Sequence, residues 1–243
     1  MKETMKENIA DTVEKVTPLA VAELEDKGVM GLYLGGSALS SDFLPWSDID
    51  LYGIVEDAFD FDGEKVIIQK LNDTTRSATK IPLSFHGIAM SELQGGPQKG
   101  TITSWVPLCV LIKRLPFFPH LWGLKIDFRN LPLKPCGLKE EAMYMLPRIR
   151  RDIKWVKDGL FIPGEIPKQV MHLARIEAEA ERDAENLHRF NDIAAHYADT
   201  PDHIVHPAMS LRKTEHLTRK MVIEFCDIVE KYLSHGESRV ETW

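Results

Sequence analysis

The chain of 243 residues contains little cysteine and has no excess of basic charge. Its three cysteines, Cys109, Cys136 and Cys226, lie far apart in the sequence and form no CxxC pair. This pattern argues against a zinc ribbon and a disulfide framework, and it favours a reducing, cytoplasmic location. The net charge of -7 disfavours nucleic acid as a partner, because proteins that bind a duplex carry a basic surface.

A long apolar run is also missing. The most apolar stretch, WVPLCVLI from Trp105, is much shorter than the roughly 20 residues that a helix needs to cross a bilayer. The N-terminal stretch MKETMKENIADTVEK is charged and contains no apolar signal-peptide core. We therefore expect neither a membrane partner nor a secretory signal.

Two kinds of hydrophobic periodicity divide the chain near Lys134. Before this point, short strand-like runs alternate with helical stripes; after it, only amphipathic helices are indicated. The pattern predicts an α+β (α/β) domain over residues 1–135, with a mixed sheet and flanking helices, followed by an all-α bundle over residues 136–243. The predicted strands are 29–34, 51–55, 81–90 and 107–113. The predicted helices are 5–26 with a kink or break at Pro18, 64–78, 138–158, 166–197 and 217–235.

The stretch GGSALSSDFLPWSDIDLYGIV begins at Gly35, where one predicted strand ends, and places two aspartates at the start of the next. Alternate side chains of a strand share a face, so Asp48 and Asp50 project together. Paired carboxylates repel each other unless a cation lies between them, and such oxygen ligands suit Mg²⁺ bound together with substrate phosphates. The glycines allow backbone N–H groups to approach an anion. Either feature alone would indicate an ordinary turn or a solvated strand end; together they predict a phosphate site beside a metal site.

This arrangement of GGS, nine residues and SDIDL resembles the signature of the DNA polymerase β-like nucleotidyltransferase superfamily. The layout is similar to that of its aminoglycoside and small prokaryotic nucleotidyltransferases, and the resemblance covers about residues 5–125. HLWGLKIDF (120–128) is similar to a short Leu-Tyr-Gly segment of the family. The resemblance implies a nucleotidyltransferase-type domain followed by a helical one.

The resemblance also implies an activity and a set of site residues. A nucleotidyl group, expected to be AMP from ATP, would pass to a hydroxyl acceptor, and pyrophosphate would leave. Asp48 and Asp50 would hold Mg²⁺ or Mn²⁺. The acceptor, a small molecule or a protein, and the preferred base are not readable from the sequence, and a homodimer is left open. The residues implied to bind the nucleotide are Gly35, Gly36, Ser37 and Ser47.

The chain departs from the family pattern on the third predicted strand. The family carries a third carboxylate there, whereas KIPLSFHGIAM contains neither Asp nor Glu. The expected position falls at or beside Ser84. His86 could replace the carboxylate as a general base, or it could be a half-buried histidine bonded to backbone. Glu92 is a more distant candidate. The alternative to an enzyme is therefore a catalytically impaired nucleotide-binding module that regulates or pairs with another protein.

Three features of the second half are open to functional and structural interpretations. The basic run over residues 148–157 could face an anion, but a solvated helix face is favoured. Arg189 and His196 loosely resemble the Arg-to-His motif of HEPN ribonucleases, a spacing that also arises by chance. His203 and His206 could chelate a metal, although no carboxylate or cysteine cluster accompanies them in sequence, so loop histidines are favoured.

Overall fold

The computed structural model describes residues 2–39, 43–44, 47–160, 164–181, 184, 187, 189–214, 216–241 and 243. The chain divides into two compact units, Met1–Pro135 and Cys136–Trp243. The first unit combines a sheet with helices and the second is helical, so the predicted α+β fold class with a helical C-terminal part is confirmed. None of the described helices is both long and apolar enough to cross a bilayer.

A four-stranded mixed sheet forms the centre of the first unit. Its order is β3-β2-β1-β4, with β2 parallel to β3 and with β1 antiparallel to both β2 and β4. In this register Asp50 of β2 lies between Gly35 of β1 and Ser84 of β3. The sheet thus brings the three predicted strand segments of the candidate site side by side. The strands are β1 (Val29–Gly35), β2 (Ile49–Val55), β3 (Leu83–Ala89) and β4 (His120–Gly123).

Helices cover both faces of this sheet. One face packs against α1 (Lys2–Leu24) and α2 (Glu64–Thr75) in a single apolar core. The other face packs against apolar side chains from α3 (Met90–Leu93) and α5 (Leu108–Leu111). Between these two short helices lies α4 (Thr101–Trp105). The alternation of side chains along each strand distributes residues between the two cores, because neighbouring side chains point to opposite faces.

Two expectations for the first unit are wrong. The fourth strand is not residues 107–113, where α5 occurs, but β4 at His120–Gly123. A short continuous apolar run cannot be assigned to strand or helix by periodicity alone, and Pro107 suits the position just before a helix. Of the two alternatives expected at Pro18, a kink or a break, the break is also absent, since α1 continues through that residue.

The second unit contains five described helices around one apolar core. The predicted helix 166–197 is wrong as a continuous element, because Arg189 has an extended backbone immediately before the third of these helices. The predicted stop near His235 is also wrong: the last helix continues to Val240, where Val240 and Leu233 are buried in the core. The helix beginning at Val205 was not predicted. The five are α6 (Leu138–Lys157), α7 (Glu165–Glu181), α8 (Phe190–His196), α9 (Val205–Arg212) and α10 (Arg219–Val240).

Candidate functional site

The start of β2 positions the two aspartates. Ile49 and Leu51 are completely buried in the core formed with α1 and α2, whereas Asp50 is half-buried. Asp48 immediately precedes the strand and is also half-buried. The strong apolar anchors on either side of Asp50 therefore fix its carboxylate on the opposite face of the sheet, as strand alternation requires.

The glycine turn lies directly against the Asp50 carboxylate. Gly36 begins a short 3₁₀ helix after β1 and has a φ of +65°, a backbone conformation that favours glycine. A Cβ built on Gly36 would lie 1.6 Å from Oδ2 of Asp50. A Cβ on Gly35 would lie 2.3 Å from Cε2 of Tyr52. Both glycines are therefore needed for close approach, one to a carboxylate and the other to an aromatic ring.

The two serines implied to bind the nucleotide have different surroundings. Ser37 follows Gly36 within the 3₁₀ helix and is half-buried. Ser47 closes a turn before β2: its backbone N–H donates to the Leu44 carbonyl at 2.9 Å, and its Oγ accepts the Leu44 N–H at 3.0 Å. Ser47 thus shapes the segment that leads into the aspartate pair.

Ser84 and His86 of β3 converge on the same carboxylate. Ser84 is in register with Asp50, and its Oγ donates to Asp50 Oδ1 at 2.9 Å. His86 lies two residues further on, and its Nε2 is 3.4 Å from Ser84 Oγ and 3.5 Å from Asp50 Oδ1. The side chains of His86 and Asp50 are 24% and 19% exposed, so both can be reached from solvent. The register therefore places a hydroxyl directly beside Asp50, with an imidazole within reach of both groups.

Tyr52 and Arg114 belong to the electrostatic environment of this site and were not predicted. Burial is the largest cause that raises the pKa of Tyr52 above its ordinary value; Asp50 and Asp48 raise it further, and Arg114 lowers it. The Tyr52 ring packs against His86 with centroids 5.1 Å apart. Strand alternation could have identified Tyr52, two residues beyond Asp50, but no local pattern identifies Arg114.

The buried carboxylates near the ends of β3 have structural partners. Glu92 is 1% exposed and accepts hydrogen bonds from the N–H groups of Ala89, Lys99 and Gly100 and from the Thr103 hydroxyl. This set of donors fixes the loop after α3 and makes Glu92 a poor substitute for a catalytic carboxylate. Glu64 of α2 accepts the Gly87 N–H at 2.8 Å, next to His86 in the chain, and was not predicted as a positioning residue.

The basic run of α6 is engaged in ion pairs within the second unit. Lys154 pairs with Asp158, and Lys157 lies 2.9 Å from Asp227 and 2.7 Å from Glu230. These contacts support the interpretation of a solvated, paired helix face over that of an anion-binding surface.

The other candidate residues of the second unit have contacts that suit a structural role. Arg189 and His196 lie at opposite ends of α8, about 10 Å apart along its axis at the usual helical rise. The His203 ring stacks on Tyr197 with centroids 3.7 Å apart, and Nε2 of His206 faces the carbonyls of Tyr197 and Thr200. Within the described part of the chain, no group of three or more His, Cys, Asp or Glu side chains is arranged to hold a metal ion.

Comparison with known proteins finds a likeness at the level of structure. No protein-family model matches the chain. No curated protein matches it either. Among solved structures, the chain is similar to spectinomycin adenyltransferase AAD(9) from Enterococcus faecialis, crystallised with ATP and spectinomycin, at a TM-score of 0.60 and 14% sequence identity. The match covers 93% of this chain and 99% of that chain, and at this identity it shows a nucleotidyltransferase-like fold.

Proposed function

We propose that the first unit binds a nucleoside triphosphate with a divalent metal and transfers its nucleotidyl group to a hydroxyl acceptor. The observation that carries this proposal is the contact between the Gly36 turn and the Asp50 carboxylate, where no Cβ could fit. A turn with an exposed glycine and a carboxylate that can hold a cation are contiguous there, as a metal-bound phosphate requires.

The structural neighbour supports the choice of ATP and of a small acceptor. That protein is an adenyltransferase crystallised with ATP and spectinomycin. By analogy, we infer that this chain uses ATP, transfers AMP and releases pyrophosphate. A small molecule is the favoured acceptor class over a protein, and the cysteine content supports a cytoplasmic location.

The residues fit a Mg²⁺ or Mn²⁺ ion by the chemistry of their donors. Asp48 and Asp50 supply half-buried carboxylate oxygens, which are the ligands that these ions prefer. Such an ion, when bound, neutralises the charge of the triphosphate and polarises the phosphorus that is attacked. The backbone from Gly35 to Ser37 binds and orients the phosphates. Ser47, which accepts the Leu44 N–H, fixes the segment that leads to Asp48.

His86 is the residue that we assign to proton transfer. Its Nε2 reaches the edge of the site where Ser84 and Asp50 meet, and an imidazole can accept a proton near neutral pH. In this role His86 takes the proton of the attacking hydroxyl. Tyr52 positions the imidazole through the contact between their rings.

A second candidate function is a nucleotide-binding module with little or no turnover. The specific observation in its favour is Ser84, which occupies the position beside Asp50 where a third carboxylate is expected. A hydroxyl brings no charge to hold a second ion.

Pyrophosphate release from ATP with Mg²⁺ or Mn²⁺ separates the two functions. For the enzyme, we expect release by the wild type, an increase in Ser84→Asp, and a decrease of about 10²–10⁴-fold in His86→Ala, the usual contribution of a general base. His216→Ala, an exposed histidine of the second unit, is the matched control and should release pyrophosphate at the wild-type rate. Release that is equal in wild type and Asp50→Asn would contradict the proposal, and release seen only in Ser84→Asp would favour the binding module.

A further inference from the structure

The Ser84 hydroxyl and the Gly36 turn flank one carboxylate. Ser84 Oγ is 2.9 Å from Oδ1 of Asp50, and the Gly36 turn lies against Oδ2 of the same group. A phosphate held at the turn, with a cation on Asp50, would therefore lie next to the Ser84 hydroxyl. A hydroxyl of the chain itself thus lies beside the expected position of the triphosphate.

Ser84 also has the partner that a serine nucleophile needs. A serine hydroxyl becomes reactive when a base lies within hydrogen-bond reach, and such distances are often longer in the absence of substrate. His86 Nε2 is 3.4 Å from Ser84 Oγ, and it can take over the proton that the hydroxyl donates to Asp50 Oδ1 once a cation occupies that carboxylate. The imidazole is held by the Tyr52 ring on the same face of the sheet. Because Ser84 is in register with Asp50, its position is fixed by the backbone pairing of β2 and β3.

We propose that Ser84 is a self-nucleotidylation site. Ser84 Oγ attacks the α-phosphorus of the bound nucleoside triphosphate, and an Oγ–P bond forms. The bond from this phosphorus to the oxygen that bridges it to the β-phosphate breaks, and pyrophosphate leaves. The hydroxyl proton passes to Nε2 of His86. The product is a nucleotidyl-serine in the site, formed without an external acceptor; the inference rests on the proposed function, since it requires the triphosphate to bind there.

The test uses the full chain and ATP labelled on either the α- or the γ-phosphate. After incubation with Mg²⁺ or Mn²⁺, intact mass and peptide mapping should locate one adenylyl group on Ser84, carrying the α-label only. Ser84→Ala should lose the label to background. Labelling of His86→Ala should be about 10²–10⁴-fold slower. Ser104→Ala is the matched control, because Ser104 is an exposed serine of the same unit whose Oγ donates to the Thr101 carbonyl; it should keep the label.

The outcomes separate this inference from the function on which it rests. Retention of the γ-label, modification of another residue, or undiminished labelling of a folded Ser84→Ala protein would overturn the assignment of Ser84. Absence of any label on a wild-type chain that binds ATP with Mg²⁺ in calorimetry would also overturn it, and would leave the proposed function standing. A wild-type chain that binds no ATP would overturn both. Mapping of the wild-type peptides decides the question even if the Ser84 variant does not fold.

Discussion

Buried carboxylates are stabilised differently in the two units. In the second unit, Glu141 is 2% exposed and accepts a hydrogen bond from the Arg175 guanidinium, which also lies 2.5 Å from Glu179. In the first unit, Glu64 and Glu92 are equally buried, but backbone N–H groups are their main donors. The helical unit thus joins its elements through charged side chains, and the sheet unit fixes its loops through the main chain.

Asp50 differs from the buried carboxylates of both units in its exposure and its contacts. Its side chain is 19% exposed, and its contacts include the neutral Ser84 hydroxyl and the His86 imidazole. The buried carboxylates of Glu64 and Glu92 accept backbone N–H groups, and these hydrogen bonds serve stability. A half-exposed carboxylate beside a glycine turn can still accept a cation. The contrast in exposure supports Asp50, rather than Glu64 or Glu92, as the carboxylate of the proposed site.

The largest effect is expected from Arg175→Ala in the second unit. Removing the guanidinium from buried Glu141 should lower the free energy of unfolding by about 3–5 kcal/mol, as is typical of breaking a buried pair. The control is Lys154→Ala, which removes an exposed pair with Asp158 and should cost at most about 1 kcal/mol.

Cys226 provides a measurement confined to the second unit. This thiol is fully buried, and burial is the main cause that raises its pKa to about 11, so it should react only when the unit opens. The rate at which a thiol reagent modifies Cys226 should rise by about a hundredfold or more in Arg175→Ala, because each 1.4 kcal/mol corresponds to about tenfold. Equal rates in Arg175→Ala and Lys154→Ala would show that the buried pair does not join the helices.

A smaller loss is expected from Glu92→Gln in the first unit. The amide keeps one oxygen but turns an NH₂ group toward a backbone N–H, and the hydrogen bonds lose the assistance of the negative charge. We expect about 2 kcal/mol of destabilisation and faster hydrogen exchange at the amides of Lys99 and Gly100. Glu25→Gln, at an exposed glutamate of the same unit, should change neither quantity. Unaltered exchange at Lys99 in Glu92→Gln would mean that the loop is held by other contacts.

A selective change in binding is expected at Gly36. Gly36→Ala and Gly95→Ala each place a side chain on a backbone with positive φ, and this conformation alone should cost about 1–2 kcal/mol in each variant. A Cβ at Gly95 meets nothing within 4 Å, whereas a Cβ at Gly36 collides with Asp50. Only Gly36→Ala should therefore weaken ATP binding, by at least about tenfold, equivalent to 1.4 kcal/mol. Equal ATP affinity in the two variants, measured by calorimetry, would remove the phosphate site from this turn.

The elements that were predicted correctly are those with a clear hydrophobic pattern along the chain. Short apolar runs identified β1, β2 and β3, and the three-to-four-residue period identified α6 and most of α10. The prediction of a strand at 107–113 failed because this run is apolar almost throughout, so no period distinguishes strand from helix. β4 is a short, half-exposed strand without an alternating pattern, and the helix at Val205 is too short for a clear stripe.

Of the residues of the candidate site, only those on or next to the predicted strands could be predicted from the sequence. Alternation placed Asp48 and Asp50 on one face, and the family resemblance placed Ser84 on the next strand. The register of β2 with β3 brings Asp50 and Ser84 together. Arg114 and Glu64 come from segments that approach through tertiary packing, for which no local pattern exists. Whether His86 acts as a base is likewise a matter of chemistry that position alone does not decide.

Calorimetry of ATP binding with and without Mg²⁺ tests the central claim that Asp50 belongs to a metal–triphosphate site. The proteins to compare are the wild type, Asp50→Asn and, as a control, Asp73→Asn, which neutralises an exposed carboxylate of α2 that pairs with Arg76. The account predicts binding that requires Mg²⁺ in the wild type and in Asp73→Asn, and a loss of at least about tenfold in Asp50→Asn, equivalent to 1.4 kcal/mol. Equal ATP affinity in all three proteins, whether or not metal is present, would contradict it.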